Sequence, residues 1–298
     1  MNRIFILLFL VVAQLVDSCK ENTSVQTNEL KEWKLQGAVK SLSETDYSKN
    51  GKFKAWLLFN PAGYILEQTT FNPDGSLIRK WRYTYNETNQ KLTRTTYVLR
   101  DSLSGILCYS YDQNGKIKDE KVLNASGALM NDVQHNYDIN QNEIEKIFTD
   151  DTHKIQGLVK NKFDKRNKLI EELQLDSITH KNGKNRYSYN DDGLNVEITS
   201  LSLHDNLVKR TTYSYLANRK VGEARLYNAD NNLISRTVYK YDKQENITLK
   251  QTFNPIGETM EKYTFTYTYD KNNNWTLRYE YLNDQVNDIL SRKLEYYN

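Results

Sequence analysis

Aromatic and polar side chains alternate along several stretches of the chain. Tyr263, Phe265 and Tyr267 share one side of an extended backbone, and the threonines between them share the other side. Alternation with a period of two is typical of a β-strand that has one face buried and one face in water. The 3.6-residue periodicity of an amphipathic helix is not seen. The pattern therefore predicts an all-β protein.

The turns between these stretches recur at a fixed spacing. A typical turn is an aromatic residue, then Asn or Asp, then Gly or Asn, then an apolar residue, as in residues 111–117. Nine positions spaced 26 residues apart are all aromatic, although only 12% of the chain is aromatic. This strict series consists of Phe59, Tyr85, Tyr111, Tyr137, Phe163, Tyr189, Tyr215, Tyr241 and Tyr267. Such regularity indicates an internal repeat in which these aromatic residues have a structural role.

A second, relaxed series is offset from the strict series by 12 residues. It consists of Phe71, Tyr97, Leu123, Thr149, Leu175, Leu201, Tyr227, Phe253 and Tyr279. Each 26-residue unit therefore contains two turns and two strands, and short turns make successive strands antiparallel. The relaxed series loses its regularity around residues 99–105 and 149–157, which are the first places to look for a specific binding site.

The repeat predicts one domain over residues 32–298, built as an extended antiparallel meander of about twenty strands. Because a twisted open sheet rarely exceeds about ten strands without curling, we expect a curved sheet, a spiral or a shell. The aromatic face is expected to line the inner side. A two-sheet sandwich is disfavoured, since its core would need more Val, Ile and Leu than a chain with a mean hydropathy of −0.78 provides.

The first 18 residues predict a secretory signal peptide. Arg3 precedes an apolar run over residues 4–16, which is too short to cross a bilayer comfortably. Residues 15–19 resemble the lipobox of bacterial lipoproteins, with Asp17 where a small or apolar residue is usual. This resemblance implies that the signal is removed and that Cys19 becomes the lipidated first residue. The alternative is an ordinary secretory signal with an incidental cysteine.

Residues 19–31 are predicted to be the lipidated cysteine and a flexible tether, because they are rich in Ser, Thr and Asn. Lys20 and Glu21 resemble the start of the surface-export signal of Bacteroidota lipoproteins, which usually contains more than one acidic residue. The resemblance implies a protein held at the outer membrane through the lipid on Cys19, on the cell surface or on the periplasmic side.

The charge balance and the motif content exclude several classes of function. The net charge is +3, from 41 basic and 38 acidic residues that are interspersed, whereas a nucleic-acid partner would require a concentrated basic face. The four histidines lack metal-ligand spacing, and nucleophile and phosphate-loop motifs are absent. We therefore predict no catalytic residue, no metal and no cofactor. Cys108 is predicted to be a small, buried apolar residue.

The Tyr-Asp-x-x-Gly turns and their spacing of 12 to 14 residues resemble YD (RHS) repeats. Residues 35–42 and 269–276 are similar to the openings and endings of related Bacteroidota lipoproteins whose function is uncharacterised. The resemblance covers almost all of the chain after the signal peptide and implies a repeat architecture. Large RHS proteins build a shell around a toxin segment. Here the repeat continues to Asn298, so we do not expect a toxin role.

The sequence favours a non-enzymatic lipoprotein of the cell envelope, whose repeat sheet is a scaffold or a binding surface for a glycan or a protein. One alternative is a glycan-processing enzyme with two inward carboxylates about 5 to 10 Å apart inside the coiled sheet. Another is an immunity or inhibitor protein directed against an RHS-type toxin.

Overall fold

The computed structural model describes residues 28–47, 53–98, 100–180 and 182–298, so that the predicted signal peptide and Cys19 lie outside the described residues. One short helix is followed by twenty strands. The helix α1 is Glu29–Glu32, and the strands are β1 (Val39–Asp46), β2 (Phe53–Phe59), β3 (Ile65–Phe71), β4 (Leu77–Tyr85), β5 (Lys91–Val98), β6 (Ser102–Tyr111), β7 (Ile117–Asn124), β8 (Leu129–Tyr137), β9 (Glu143–Asp150), β10 (Ile155–Phe163), β11 (Leu169–Asp176), β12 (Gly183–Tyr189), β13 (Asn195–Leu201), β14 (Leu207–Tyr215), β15 (Val221–Tyr227), β16 (Leu233–Tyr241), β17 (Ile247–Phe253), β18 (Thr259–Tyr269), β19 (Trp275–Leu282) and β20 (Gln285–Tyr296).

The twenty strands form one closed sheet. Each strand pairs antiparallel with its neighbours in sequence, and β20 also pairs with β1, where Leu42 lies opposite Leu294. The sheet is therefore a barrel, and the prediction of an antiparallel meander of about twenty strands in a coiled sheet is confirmed. Closure pairs the two edges that an open sheet would expose.

The turns explain why the sheet curves. In a typical turn, Asp112 Oδ1 accepts hydrogen bonds from the backbone N–H groups of Asn114 and Lys116, both at 2.9 Å. Gly115 then adopts a φ of 77°, a conformation that glycine tolerates without strain. Beside this turn the pairing register shifts between Ser110 and Tyr111, as it does next to most other turns. Such bulges bend and twist a strand, and their repetition curves the whole sheet in one sense.

The two aromatic series lie on opposite faces of the barrel. On β4, Tyr83 and Tyr85 are half-buried, whereas Arg82 and Thr84 on the other face are exposed. The half-buried face is the inner one, because Phe59 on the same face is fully buried beneath α1. The strict series follows this inner face, as expected from the sequence.

The relaxed series follows the outer face. Tyr97 lies opposite Lys80, two residues before the exposed Arg82, and Tyr227 lies opposite Arg210 in the same relation further around the barrel. The outer face therefore combines aromatic rings with charged side chains. Because the two series come from alternate turns, they also mark opposite ends of the barrel, which we call the strict rim and the relaxed rim.

Each tyrosine of the strict series makes the same hydrogen bond. Its phenol donates to the backbone carbonyl 20 residues earlier, at the start of the neighbouring strand, as Tyr111 does to Lys91 at 2.7 Å and Tyr241 does to Val221 at 3.0 Å. The other tyrosines with this bond are Tyr85, Tyr137, Tyr189, Tyr215 and Tyr267. The bond ties the end of one strand to the start of the previous strand, so it requires a constant repeat length.

The two phenylalanines of the series show that the hydrogen bond matters as well as the ring. Phe163 has no hydroxyl group, and there the side-chain amide of Asn161 donates to the carbonyl of Glu143 at 2.9 Å. Phe59 lies where the barrel closes, and its own carbonyl accepts a hydrogen bond from the phenol of Tyr297 at 2.6 Å. The carbonyl 20 residues before Phe163 therefore has an amide donor in place of a phenol, whereas at Phe59 the phenol of Tyr297 bonds the carbonyl of Phe59 itself.

The most densely packed apolar cluster lies where the barrel closes, at the strict rim. It consists of Leu30, Leu35, Val39, Leu42, Leu57, Phe59 and Ile65. The carboxylate of Glu29 in α1 accepts a hydrogen bond from the phenol of Tyr85 at 3.1 Å and pairs with Lys91 Nζ at 2.8 Å. The end of the predicted flexible tether, at residue 31, therefore falls inside a helix that is part of the barrel, because Leu30 and Glu29 both have partners there.

We predict that replacing Tyr241 by Phe lowers the free energy of unfolding by about 1 kcal/mol, because the carbonyl of Val221 loses its phenol donor. Urea unfolding of the two proteins measures the difference. The matched control is Tyr279→Phe on the outer face, where the hydroxyl has no hydrogen bond within the described residues. Equal losses in the two variants would contradict a stabilising role for the tyrosine bond.

Candidate functional site

A second row of inner residues lies two positions before the strict series. Its first and last members are the apolar Leu57 and Phe265, and polar residues other than tyrosine occupy it on β8 and β10. Most of the row is tyrosine, namely Tyr83, Tyr109, Tyr187, Tyr213 and Tyr239. His135 on β8 and Asn161 on β10 replace tyrosine in this row. The interruption produces a polar cluster on the inner wall of the barrel.

His135 is the centre of this cluster. Its side chain is 3% exposed, its Nδ1 lies 2.6 Å from Glu143 Oε1, and its Nε2 lies 3.1 Å from Glu120 Oε1. Glu143 also pairs with Lys146 Nζ at 3.1 Å. Because both ring nitrogens face carboxylates, both are positioned to donate, which is the hydrogen-bonding pattern of an imidazolium.

The pKa values of the cluster agree with this pattern. Burial by itself lowers the pKa of His135, but the hydrogen bonds to Glu120 and Glu143 outweigh it and raise the pKa to about 9. Burial acts to raise the pKa of Glu143, yet the hydrogen bond from His135 and the charge of Lys146 hold it below its usual value. At neutral pH the cluster is therefore ionised and paired.

The geometry of the cluster does not suit metal binding. Glu120 and Glu143 contact opposite nitrogens of one ring, so their carboxylates and the imidazole do not converge on a common point. Throughout the part of the chain that the structure describes, no three His, Cys, Asp or Glu residues form a group that could hold a metal ion.

A second inner cluster lies beside the seam between β20 and β1. Burial raises the pKa of Asp288, and so do the hydrogen bond that its protonated form donates to Asp46 and the negative charge of Asp46. Nearby, Arg292 Nε lies 2.9 Å from Glu44 Oε2, and the guanidinium of Arg292 lies 3.6 Å from the ring centre of Trp275. The two aspartates are joined directly by a hydrogen bond, which leaves no space for a sugar ring between them.

The outer face contains a groove near the relaxed rim, between β2, β3, β4 and the turn after β5. Its volume is about 340 Å³. The register places Trp56 opposite Thr69, and Thr69 opposite Lys80, so that these side chains follow one another across the sheet. The lining residues are Trp56, Glu67, Thr69, Phe71, Leu77, Lys80, Arg100 and Asp101.

Ion pairs and aromatic rings set the electrostatics of this groove. Lys80 Nζ lies 2.6 Å from Asp101 Oδ2, and Arg82 Nε lies 2.8 Å from Glu67 Oε2. The Lys80 ammonium and the Arg82 guanidinium also lie 5.6 Å and 5.4 Å from the ring centre of Tyr97. The groove thus offers aromatic surface beside fixed donors and acceptors.

The structure places the residues singled out from the sequence in different roles. The strict series is structural, and the lipidation of Cys19 stays a prediction, because that residue lies outside the described residues. The irregular stretch at 99–105 contributes Arg100 and Asp101 to the groove. In the other irregular stretch, residues 149–157, Thr149 is buried on the outer wall. Cys108 is half-buried with a free thiol.

Sequence reasoning missed the His135 cluster, and of the groove it singled out only the stretch 99–105, which contains Arg100 and Asp101. His135 could have been found as a break in the second tyrosine row, because its position obeys the same 26-residue spacing. Trp56 and Arg100 belong to neither aromatic series, and only the strand register brings them to one surface. No sequence signal marks that proximity.

No protein-family model matches the chain, and no curated protein is similar to it. Among solved structures, the Tc holotoxin pore of Photorhabdus luminescens has a TM-score of 0.42 and 12% identity, over 76% of this chain and 14% of that chain. The complex of TcdB2, TccC3 and Cdc42 has a TM-score of 0.40 and 18% identity, over 78% of this chain and 13% of that chain. A porin-like protein from Bacteroides uniformis has a TM-score of 0.38 and 12% identity, over 87% of this chain and 98% of that chain. The chain therefore spans about one seventh of the Tc chains that it matches.

No helix in the described parts of the chain has the length and apolar character needed to cross a membrane.

We predict that His135 makes stability depend on pH. Its pKa of about 9 in the folded state lies above the ordinary value of 6.5, so its contribution is complete below pH 6.5 and is lost as the pH rises through 9. The free energy of unfolding should fall by about 1–3 kcal/mol over this window. Urea unfolding at a series of pH values measures the fall.

His135→Asn should flatten this pH dependence, whereas the exposed His153→Asn should leave it unchanged. An NMR titration of the imidazole groups provides a direct check, with the exposed His180 and His204 as internal references. A midpoint for His135 close to 6.5 would contradict the interpretation.

Proposed function

We propose that this protein is a lipid-anchored, non-enzymatic protein of the cell envelope, which binds a glycan or a protein on the outer face of its barrel. The observation that carries the proposal is the separation of the two aromatic series. The strict series is committed to hydrogen bonds on the inner face, whereas the relaxed series lies outside and varies between Tyr, Phe, Leu and Thr. A surface whose residue types differ from repeat to repeat, on a backbone that stays the same, is suited to recognising a ligand.

The chemistry of the outer face supports a binding role. The guanidinium of Arg210 lies 4.2 Å from the ring centre of Tyr227 and pairs with Glu197 at 2.9 Å. One repeat later, Arg236 lies 4.4 Å from the ring centre of Phe253 and pairs with a glutamate at 3.0 Å. Aromatic rings supported by arginines are enriched where proteins contact their partners.

The inner carboxylates favour binding over catalysis. A glycan-processing enzyme needs two carboxylates separated by about 5 to 10 Å, with both available to the substrate. Glu120 and Glu143 both hydrogen-bond His135, and Asp46 and Asp288 hydrogen-bond each other. These partners support a structural role for both clusters.

The N-terminal contacts suggest how the anchored barrel is oriented. Asn28 Nδ2 donates to the carbonyl of Ala62 at 3.1 Å, so the described chain begins at the strict rim. A lipid on Cys19 would be only nine residues from this contact, since 28 − 19 = 9. In the proposed arrangement the strict rim faces the membrane, and the relaxed rim with its groove faces away.

Lipidation can be tested by metabolic labelling with an alkynyl fatty acid in a bacterium that processes lipoproteins. We expect the native chain to be labelled and to partition with membranes, and Cys19→Ser to be unlabelled. The control Cys108→Ser should be labelled like the native chain, because Cys108 lies within the barrel. Label that persists on the Cys19→Ser chain would contradict the anchor.

Binding can be tested by immobilising a chain that begins at residue 20, without the apolar run over residues 4–16, and applying envelope polysaccharides and envelope protein extracts. We expect retention of one of these classes. A variant with Tyr227→Ser and Phe253→Ser, which removes two outer rings, should retain several-fold less. Circular dichroism on both proteins would establish that the fold is kept. Failure to retain material of either class would overturn the binding function.

A further inference from the structure

We infer that the groove lined by Trp56, Phe71, Lys80 and Arg100 binds one acidic sugar unit, a hexuronate of an envelope polysaccharide. This inference rests on the proposed binding function of the outer face and names the class of ligand. Its three supports are the shape of the groove, its fixed polar groups and its charge.

The shape and the apolar surface suit a single sugar ring. The groove has a volume of about 340 Å³ and opens on the outer face. Trp56 and Phe71 are both half-buried, so one part of each ring packs on the sheet while another part remains available. The C–H face of a pyranose packs well against an aromatic ring, and the sugar hydroxyls then project toward polar neighbours.

The polar groups of the groove are held in place before any ligand arrives. Thr69, which is 3% exposed, donates from its hydroxyl to Glu67 Oε1 at 3.2 Å, and Arg82 pairs with the other oxygen of Glu67. Lys80 is held by Asp101 at 2.6 Å. A site whose side chains are already fixed loses little conformational entropy when it binds a ligand.

The charge of the groove selects an anion. Three cations, Lys80, Arg82 and Arg100, lie beside two carboxylates, Glu67 and Asp101. Both carboxylates are occupied by Lys80 and Arg82, and Arg100 has no ion-pair partner within the described residues. The guanidinium of Arg100 is therefore the excess positive charge. Arginine can bind a carboxylate through two parallel hydrogen bonds, which is the geometry that a uronate offers.

The backbone at Arg100 allows this residue to be replaced by glycine without strain. Its φ is 57°, in the left-handed region that residues other than Gly, Asn and Asp rarely adopt. Glycine occupies the left-handed position in several other turns of the barrel, such as Gly75 and Gly115. Non-glycine residues also occupy it at other turns, such as Gln141 and Arg219, so the conformation belongs to the turn.

The test is an NMR titration of the chain that begins at residue 20 with methyl glucuronide and with the neutral methyl glucoside. We expect the glucuronide to bind about tenfold more tightly, because only the glucuronide has a carboxylate that can accept two parallel hydrogen bonds from Arg100. Arg100→Gly should weaken glucuronide binding to the level of the glucoside. This variant relieves the positive φ, so it should fold at least as stably as the native chain.

The matched control is Arg219→Gly. Arg219 also has a positive φ, of 65°, but its turn follows β14 at the strict rim, away from the groove. This control should relieve similar strain and leave both affinities unchanged. Trp56→Ala should weaken the binding of both sugars, since each uses the aromatic surface.

Three results would overturn the assignment: no binding of either sugar, equal affinity for the two sugars, or unchanged glucuronide affinity in Arg100→Gly. If envelope material is still retained on the immobilised chain, only the acidic-sugar site fails. If the immobilised native surface retains nothing, the proposed binding function itself fails.

Discussion

One hydrogen bond sets the geometry of the whole barrel, the bond from a tyrosine phenol to the backbone carbonyl 20 residues earlier. It joins the end of a strand to the start of its neighbour, so the combined length of the two strands and the turn between them must stay constant. Where the ring is Phe163, the side-chain amide of Asn161 donates to the equivalent carbonyl, that of Glu143, instead. A buried carbonyl without a donor costs about 1–3 kcal/mol, which explains why the interaction is kept in a different chemical form.

This bond also explains which parts of the structure the sequence predicts. A constant repeat length produces a constant spacing, so the strands and the strict series can be derived from periodicity alone. Closure of the barrel cannot be derived from periodicity, because the pairing of Leu42 with Leu294 joins the first and last strands and leaves no periodic signal. The docking of Glu29 on Tyr85 was missed for the same reason, and its segment resembled a tether. The groove also depends on register, which no local pattern contains.

The two faces of the barrel are subject to different constraints. Inner residues have partners that a substitution would leave unpaired, as the contacts of His135 with Glu120 and Glu143 illustrate. Burying such charges is costly unless all of them are paired, so the inner wall tolerates few changes. Outer residues such as Tyr227 contact side chains on the same face, in this case Arg210, and the residue type at their position differs from repeat to repeat. The hydrogen bonds and ion pairs of the inner face therefore hold the barrel together while the residue types on the outer face differ from repeat to repeat.

Closure through β1 and β20 has a consequence for how the chain is made. In an open stack of repeats, each new unit can fold on the one before it, but here the first strand pairs with the last. During synthesis, β1 must therefore wait with one unpaired edge until residues 285–296 arrive. Unpaired strand edges promote aggregation, so the growing barrel needs protection until it closes. A truncation of only the last strand would leave that edge permanently open, although nineteen strands would remain.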